Sequence, residues 1–134
     1  EVESLFQLVI TDIEASKHIG WVVCEKENPA KFVGMIGFHR IKVEHHRAEV
    51  GYMIEQEFQG KGYGKESVQA IINYAFDTMQ IHSIEADIDK GNIASERLLQ
   101  SLGFVKEGHF KESFYFEGTF IDSVIYSLLK SNIR

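Results

Sequence analysis

Gln59-Gly60-Lys61-Gly62-Tyr63-Gly64 joins a strand-like run at residues 47–55 to a helical run that begins near Lys65. Glycines at 60, 62 and 64 remove the Cβ atoms that would hold a ligand away from the backbone. A helix starting there adds N–H groups without intrahelical acceptors and the positive end of its dipole. That combination suits a phosphate or pyrophosphate group. A glycine-rich turn that only ends a strand has the same composition, so spacing has to discriminate. The nucleotide-hydrolase loop needs G-x-x-x-x-G-K-[ST]. Here Gly60 and Gly64 stand one residue too close, and Lys65 is followed by Glu66. The dinucleotide fingerprint G-x-G-x-x-G wants a further glycine at position 65, where lysine stands. What is left is Q-x-x-G-x-G, carried by Gln59, Gly62 and Gly64.

The rest of the chain sets limits around that loop. Its 134 residues suit one domain, 1–134, large enough to bury a core. A hydrophobic content of 44% with ten phenylalanines describes a packed globule, not a disordered chain. The net charge of −6 disfavours nucleic acid and suits a cationic partner such as an amine. Cys24 is the single cysteine, so no internal disulfide forms, which fits a reducing, cytoplasmic setting. No apolar run is long enough to cross a membrane, so no membrane partner is expected. The chain begins with Glu1 instead of methionine, which reads as a processed form or an N-terminally truncated segment of a longer protein.

Periodicity places the elements. Val2, Leu5, Phe6, Val9 and Ile13 recur at helical spacing, so residues 2–15 read as an amphipathic helix. Residues 19–25 and 32–41 are rich in β-branched and aromatic side chains, with Asn28-Pro29 as the turn of a hairpin. In residues 47–55, Ala48, Val50, Tyr52 and Ile54 alternate with Arg47, Glu49 and Gly51. Val68, Ile71, Ile72, Ala75, Phe76 and Met79 then form one helical stripe. Residues 83–89 alternate as a short strand. Asn92 is set to cap a second helix, which Gly103 ends. Residues 104–109, 111–116 and 119–129 read as strands, with Glu117-Gly118 as a turn. The order α-β-β-β-α-β-α-β-β indicates a mixed sheet in an α/β domain.

Several further motifs fall in a consistent order after the loop: Asn92-Ile93-Ala94-Ser95, Leu102-Gly103-Phe104, Glu107-Gly108 and the tail from Phe116 to Leu129. With Arg47-Ala48-Glu49-Val50-Gly51-Tyr52 ahead of it, the chain resembles the GNAT superfamily of N-acetyltransferases over residues 19–130. Within that superfamily it resembles the branch of the ribosomal-protein alanine N-acetyltransferases. The resemblance implies the acyl-CoA N-acyltransferase fold, a central mixed, mostly antiparallel sheet with helices on both faces. It implies acetyl-CoA as co-substrate and, as partner, an amine acceptor, either a protein N-terminus or a small molecule such as a polyamine or aminoglycoside. A monomer or homodimer is the expected assembly. On this comparison the usual N-terminal strand is missing, because only the helix at 2–15 precedes the hairpin.

Carried onto this sequence, the resemblance has Met53, Ile54 and Glu55 lining the pantetheine arm. Gln59, Gly60, Lys61, Gly62, Tyr63, Gly64 and Lys65 would hold the pyrophosphate, and Asn92 would cap its helix and touch the pantetheine. Glu49, opposite the apolar face of its strand, is the candidate general base, acting directly or through water. The alternative is an ion pair with Arg47 or another basic neighbour. The family's usual tyrosine proton donor falls at Leu99, which leaves Ser95 as the available hydroxyl beside the thioester, if it does more than cap its helix. Leu99 also keeps open an acyl-CoA-binding module without turnover. His45 and His46 are adjacent and diverge on an extended segment, so no metal site is expected there.

Overall fold

The computed structural model describes residues 4–12, 18–28 and 30–132, the first of these by backbone only. Seven strands form one sheet, β1 (Ser4–Asp12), β2 (His18–Glu25), β3 (Phe32–Lys42), β4 (Arg47–Ile54), β5 (Ser83–Asp89), β6 (Val105–Phe116) and β7 (Thr119–Leu129). Two α-helices interrupt them, α1 (Tyr63–Asp77) and α2 (Ile93–Ser101). The sheet order is β1-β2-β3-β4-β5-β7-β6, and β4 with β5 is the parallel pair. The fold is therefore the expected mixed α/β arrangement around a mostly antiparallel sheet.

The N-terminus corrects the sequence reading. The described part of the expected helix at 2–15 is strand β1, paired antiparallel to β2 with Leu5 opposite Cys24 and Val9 opposite Gly20. Residues 2, 3 and 13–15 of that expected helix lie outside the described residues, as does Pro29 of the expected turn. An N-terminal strand is thus present where none was expected. Leu8-Val9-Ile10-Thr11 explains the change. A short apolar run rich in β-branched residues fits either period, and pairing with a neighbouring strand decides it.

Cross-strand pairs define the buried face. Trp21, Ile36 and Tyr52 lie in one row, Ile19, Phe38 and Val50 in the next. Ala48 pairs Ile84, and Ala86 pairs Tyr126. Opposed residues share a face, so these rows form one continuous apolar surface. Helix α1 packs on it through Tyr74, whose ring meets Trp21 edge-on at 5.3 Å, and through buried Val68, Ile71, Ile72 and Phe76. Helix α2 packs on the same surface, with Leu99 fully buried and Glu96 and Gln100 against Tyr126. Both described helices cover that face, which corrects the expectation of helices on both faces: the buried residues of α1 and α2 meet the same apolar rows. Burying a side chain the size of Phe38 or Phe76 contributes about 2 kcal/mol, so this layer supplies most of the cohesion.

The C-terminal hairpin behaves as one unit. Glu117 and Gly118 both have positive φ, at 48° and 79°, the left-handed pair of a tight two-residue turn. The break expected at Phe110 is an irregularity inside the single strand β6. Glu112 takes φ 47° there, and its N–H donates to Asp122 Oδ1 at 2.8 Å. That bond and the His109 ring beside it hold the Asp122 carboxyl below its ordinary range.

Candidate active site

Strands β4 and β5 pair only at Arg47 with Ser83, Ala48 with Ile84 and Glu49 with Glu85. Beyond that point β4 runs on to Ile54 and β5 to Asp89, unpaired with one another. The two strands part, and a gap opens through the sheet immediately past Glu49. The N-termini of α1 and α2 converge on the buried-face side of that gap.

There they enclose a groove of about 670 Å³, lined by residues of β4, the glycine loop, the start of α1 and one side of α2. Gln59, Gly60, Gly62, Gly64 and Lys65 form its loop side, and Met53 and Ile54 its strand side. Gly60 and Gly62 have φ of 75° and 91°, a conformation that other residues adopt only with strain. Gly62 is the N-cap of α1 and has no side chain to satisfy the first-turn N–H groups, which leaves them for an anion. Helix α2 differs. Asn92 Oδ1 accepts from the Ser95 N–H at 3.2 Å, so a ligand meets Asn92 through its Nδ2.

Most of the residues assigned to the coenzyme from sequence meet in this groove, but three do not line it. Glu55 caps a short 3₁₀ turn and its N–H donates to Val33 O. The Lys61 ammonium lies 5.9 Å from the centre of the Phe58 ring. Tyr63 is buried, and its hydroxyl donates to Glu25 Oε2 at 3.0 Å. Only their backbones remain near the loop. The groove also takes in residues that sequence reading missed: Tyr52, Ala94, Arg97, Leu98 and Ser101. Positions 94, 97, 98 and 101 form a single helical stripe, a signal that the Asn92 cap would have aimed correctly.

Glu49 stands at the mouth of the gap, on the sheet face opposite the helices. It is 8% exposed and held at both oxygens, by Arg40 Nη1 at 2.9 Å and His39 Nε2 at 3.1 Å. Adjacent strand residues normally point to opposite faces. A register shift between His39 and Lys42, with Arg40 at φ 49°, lets both reach one carboxylate. The alternative reading of Glu49, an ion pair with Arg47 or another basic neighbour, is met by Arg40 and His39, while Arg47 holds Glu85 at 2.8 Å. Glu49, Glu85 and Asp87 have carboxylate oxygens within 4.8 Å of one another. Asp87 is pushed up to about 7, first by burial, then by a hydrogen bond with Glu85 and the charges of Glu49 and Glu85.

That crowding has a measurable consequence. Asp87 binds its proton more tightly in the folded chain than in the unfolded one, whose value is near 3.8. Its contribution to stability is complete below that value and is lost as pH rises through about 7. Asp87→Asn is therefore expected to raise the melting temperature by a few degrees at about pH 8, with the gain vanishing below about pH 4. Asp87 is only partly buried and much of it still meets water, so solvent screening keeps the effect modest.

A second trough, about 350 Å³, lies on the same face as Glu49. Gly20, Gly37 and Gly51 stand opposite one another across β2, β3 and β4 and form its floor. A Cβ at Gly37 would meet Ile19 O at 2.4 Å, so the floor cannot carry side chains there. Met35 and Met53 stand along one side of it, His18 and His39 along the other.

The sequence family described as an acetyltransferase (GNAT) domain matches residues 1–105. An uncharacterised N-acetyltransferase of Bacillus subtilis, YoaA, is 33% identical over 127 residues, 95% of this chain and 71% of that protein. The ribosomal protein uS5 alanine N-acetyltransferase of Escherichia coli is 35% identical over 99 residues, 73% of this chain but only 51% of its own length. Among solved structures, the spermidine N-acetyltransferase of Vibrio cholerae in complex with CoA and spermine superposes with a TM-score of 0.82. The identity there is 27%, over 90% of this chain and 70% of that one.

Proposed function

We propose, for a chain that belongs to the GNAT acetyltransferase family, transfer of the acetyl group of acetyl-coenzyme A to a primary amine, foremost a protein N-terminus. GNAT acetyltransferases use acetyl-CoA. The observation that carries the reading is the parting of β4 and β5 at Glu49 and Glu85. It connects the glycine-loop groove on one face with a carboxylate and an open trough on the other.

In this reading the first-turn N–H groups of α1, with Lys65 and Arg97, hold the pyrophosphate. The pantetheine lies along the unpaired edge of β4 at Met53 and Ile54, with Asn92 Nδ2 facing it. The amine approaches from the trough and attacks the thioester carbonyl carbon. A carbon–nitrogen bond forms and the carbon–sulfur bond breaks. The nitrogen gives up its proton to Glu49, directly or through water, and His39, partly exposed, can pass it to solvent. The departing thiolate is hydrogen-bonded by Ser95 and takes its proton from water. Alignment of the two substrates across the gap supplies much of the rate.

A second reading has an observation of its own. Three carboxylates clustered beside the gap favour a polycationic acceptor such as a polyamine. An acceptor competition separates the two. With acetyl-CoA limiting, an alanine-initiated peptide is expected to capture most of the acetyl groups from an equimolar mixture with spermidine. Capture mainly by spermidine would replace the peptide reading. Coenzyme binding with no acetylation of either acceptor would leave only a binding module.

A further inference from the structure

Tyr52 carries a hydroxyl that this chemistry leaves unused. The side chain lines the coenzyme groove from β4, and Ser95 lines it from α2. The Tyr52 Oη is shielded from solvent yet completes no well-aligned hydrogen bond among the described residues. A buried hydroxyl left in that state destabilises the fold, so its retention calls for an explanation. Ser95 supplies one. Its side chain is close enough to act on the phenol, offsetting part of the upward push that burial gives it, and either hydroxyl of the pair can donate to the other. Leu99, one turn further along the same helix, is fully buried in the core and offers no hydroxyl.

We propose that Tyr52 is a positioning residue for acetyl transfer, its hydroxyl donating to Ser95 Oγ and turning the Ser95 hydrogen toward the thioester sulfur. The inference rests on the coenzyme reading of the groove. A serine hydroxyl alone rotates freely and donates in whichever direction its surroundings allow. Once its oxygen accepts from Tyr52, its hydrogen has one free direction, and the two bonds polarise each other. Burial keeps the phenol protonated, so it remains a donor across the neutral range. Alignment of the Tyr52–Ser95 hydrogen bond is then part of coenzyme binding.

The test needs no acceptor. Coenzyme A bound to the protein is titrated by the ultraviolet difference absorbance of its thiolate. Hydrogen bonds to a thiolate lower its pKa, so the bound thiol is expected about one unit below the free thiol, or roughly tenfold more ionised at a given pH. Tyr52→Phe and Ser95→Ala should each return it toward the free value while coenzyme affinity at neutral pH, where the thiol is protonated, stays within about twofold. Tyr52→Phe should also lower kcat about tenfold at unchanged KM for acetyl-CoA, with a melting temperature equal to or above that of the parent. A merely structural role would move stability and not the thiol. A bound thiol that titrates identically in Tyr52→Phe and the parent overturns this inference alone. Failure of coenzyme A to bind the parent protein overturns the groove assignment and takes this inference with it.

Discussion

Gly64→Val is expected to abolish measurable coenzyme binding while helix α1 stays folded. A Cβ built at Gly64 meets Leu98 Cδ2 at 3.7 Å and Ile54 Cγ1 at 3.8 Å, ordinary van der Waals contacts that the protein accommodates. The valine methyls then fill the mouth of the groove, where the ligand must approach the backbone. Valine is also a better helix former than glycine, so the fold gains slightly. A loss of at least hundredfold in acetyl-CoA affinity is expected, about 2.7 kcal/mol, with no fall in melting temperature. Gly62→Val is a weaker experiment, because φ of 91° strains any β-branched residue there and the helix start suffers with the ligand. Calorimetric titration with acetyl-CoA, beside a thermal melt, reads both quantities. Unchanged affinity in Gly64→Val would remove the loop from the coenzyme site.

Glu49→Gln is the second large effect. Glutamine keeps the shape of the side chain but cannot accept a proton from the amine. Removing a positioned general base costs about 10²–10⁴ in rate. Arg40 is mostly exposed and His39 partly so; neither is stranded as a buried charge by the substitution, and the fold survives. Glu49 does not line the coenzyme groove, so KM for acetyl-CoA should hold while kcat falls. Steady-state kinetics at saturating acceptor separates the two constants. An unchanged kcat would reduce Glu49 to the ionic partner of Arg40 and His39 and leave proximity as the main source of rate.

What could be read from the sequence follows from how local each signal is. The glycine loop, the Asn92 cap and the Glu117-Gly118 turn are written in a few adjacent residues, and each has a backbone requirement that few residue types meet. Strand β1 was not legible, because Leu8-Val9-Ile10-Thr11 fits two periods and β2 makes the choice. Arg40 was not legible as a partner of Glu49, since only a register shift with a left-handed residue turns it to that side. Tyr52 counted from sequence as one more apolar-face residue. Its hydroxyl gains meaning only when α2 brings Ser95 across the groove, and no spacing along the chain encodes that approach. Lys61 and Tyr63 erred in the other direction. They lie inside the motif, yet Phe58 and Glu25 claim their side chains.

In the proposed function the gap past Glu49 joins a coenzyme to an amine for acetyl transfer. Its most direct test counts two products in one reaction, free coenzyme A thiol and N-acetylated alanine-initiated peptide, with Glu49→Gln run in parallel. Equal amounts of thiol and acetyl-peptide are expected from the parent protein and about a hundredfold less of both from the variant. Thiol released without acetyl-peptide, or coenzyme bound with neither product formed, would contradict it.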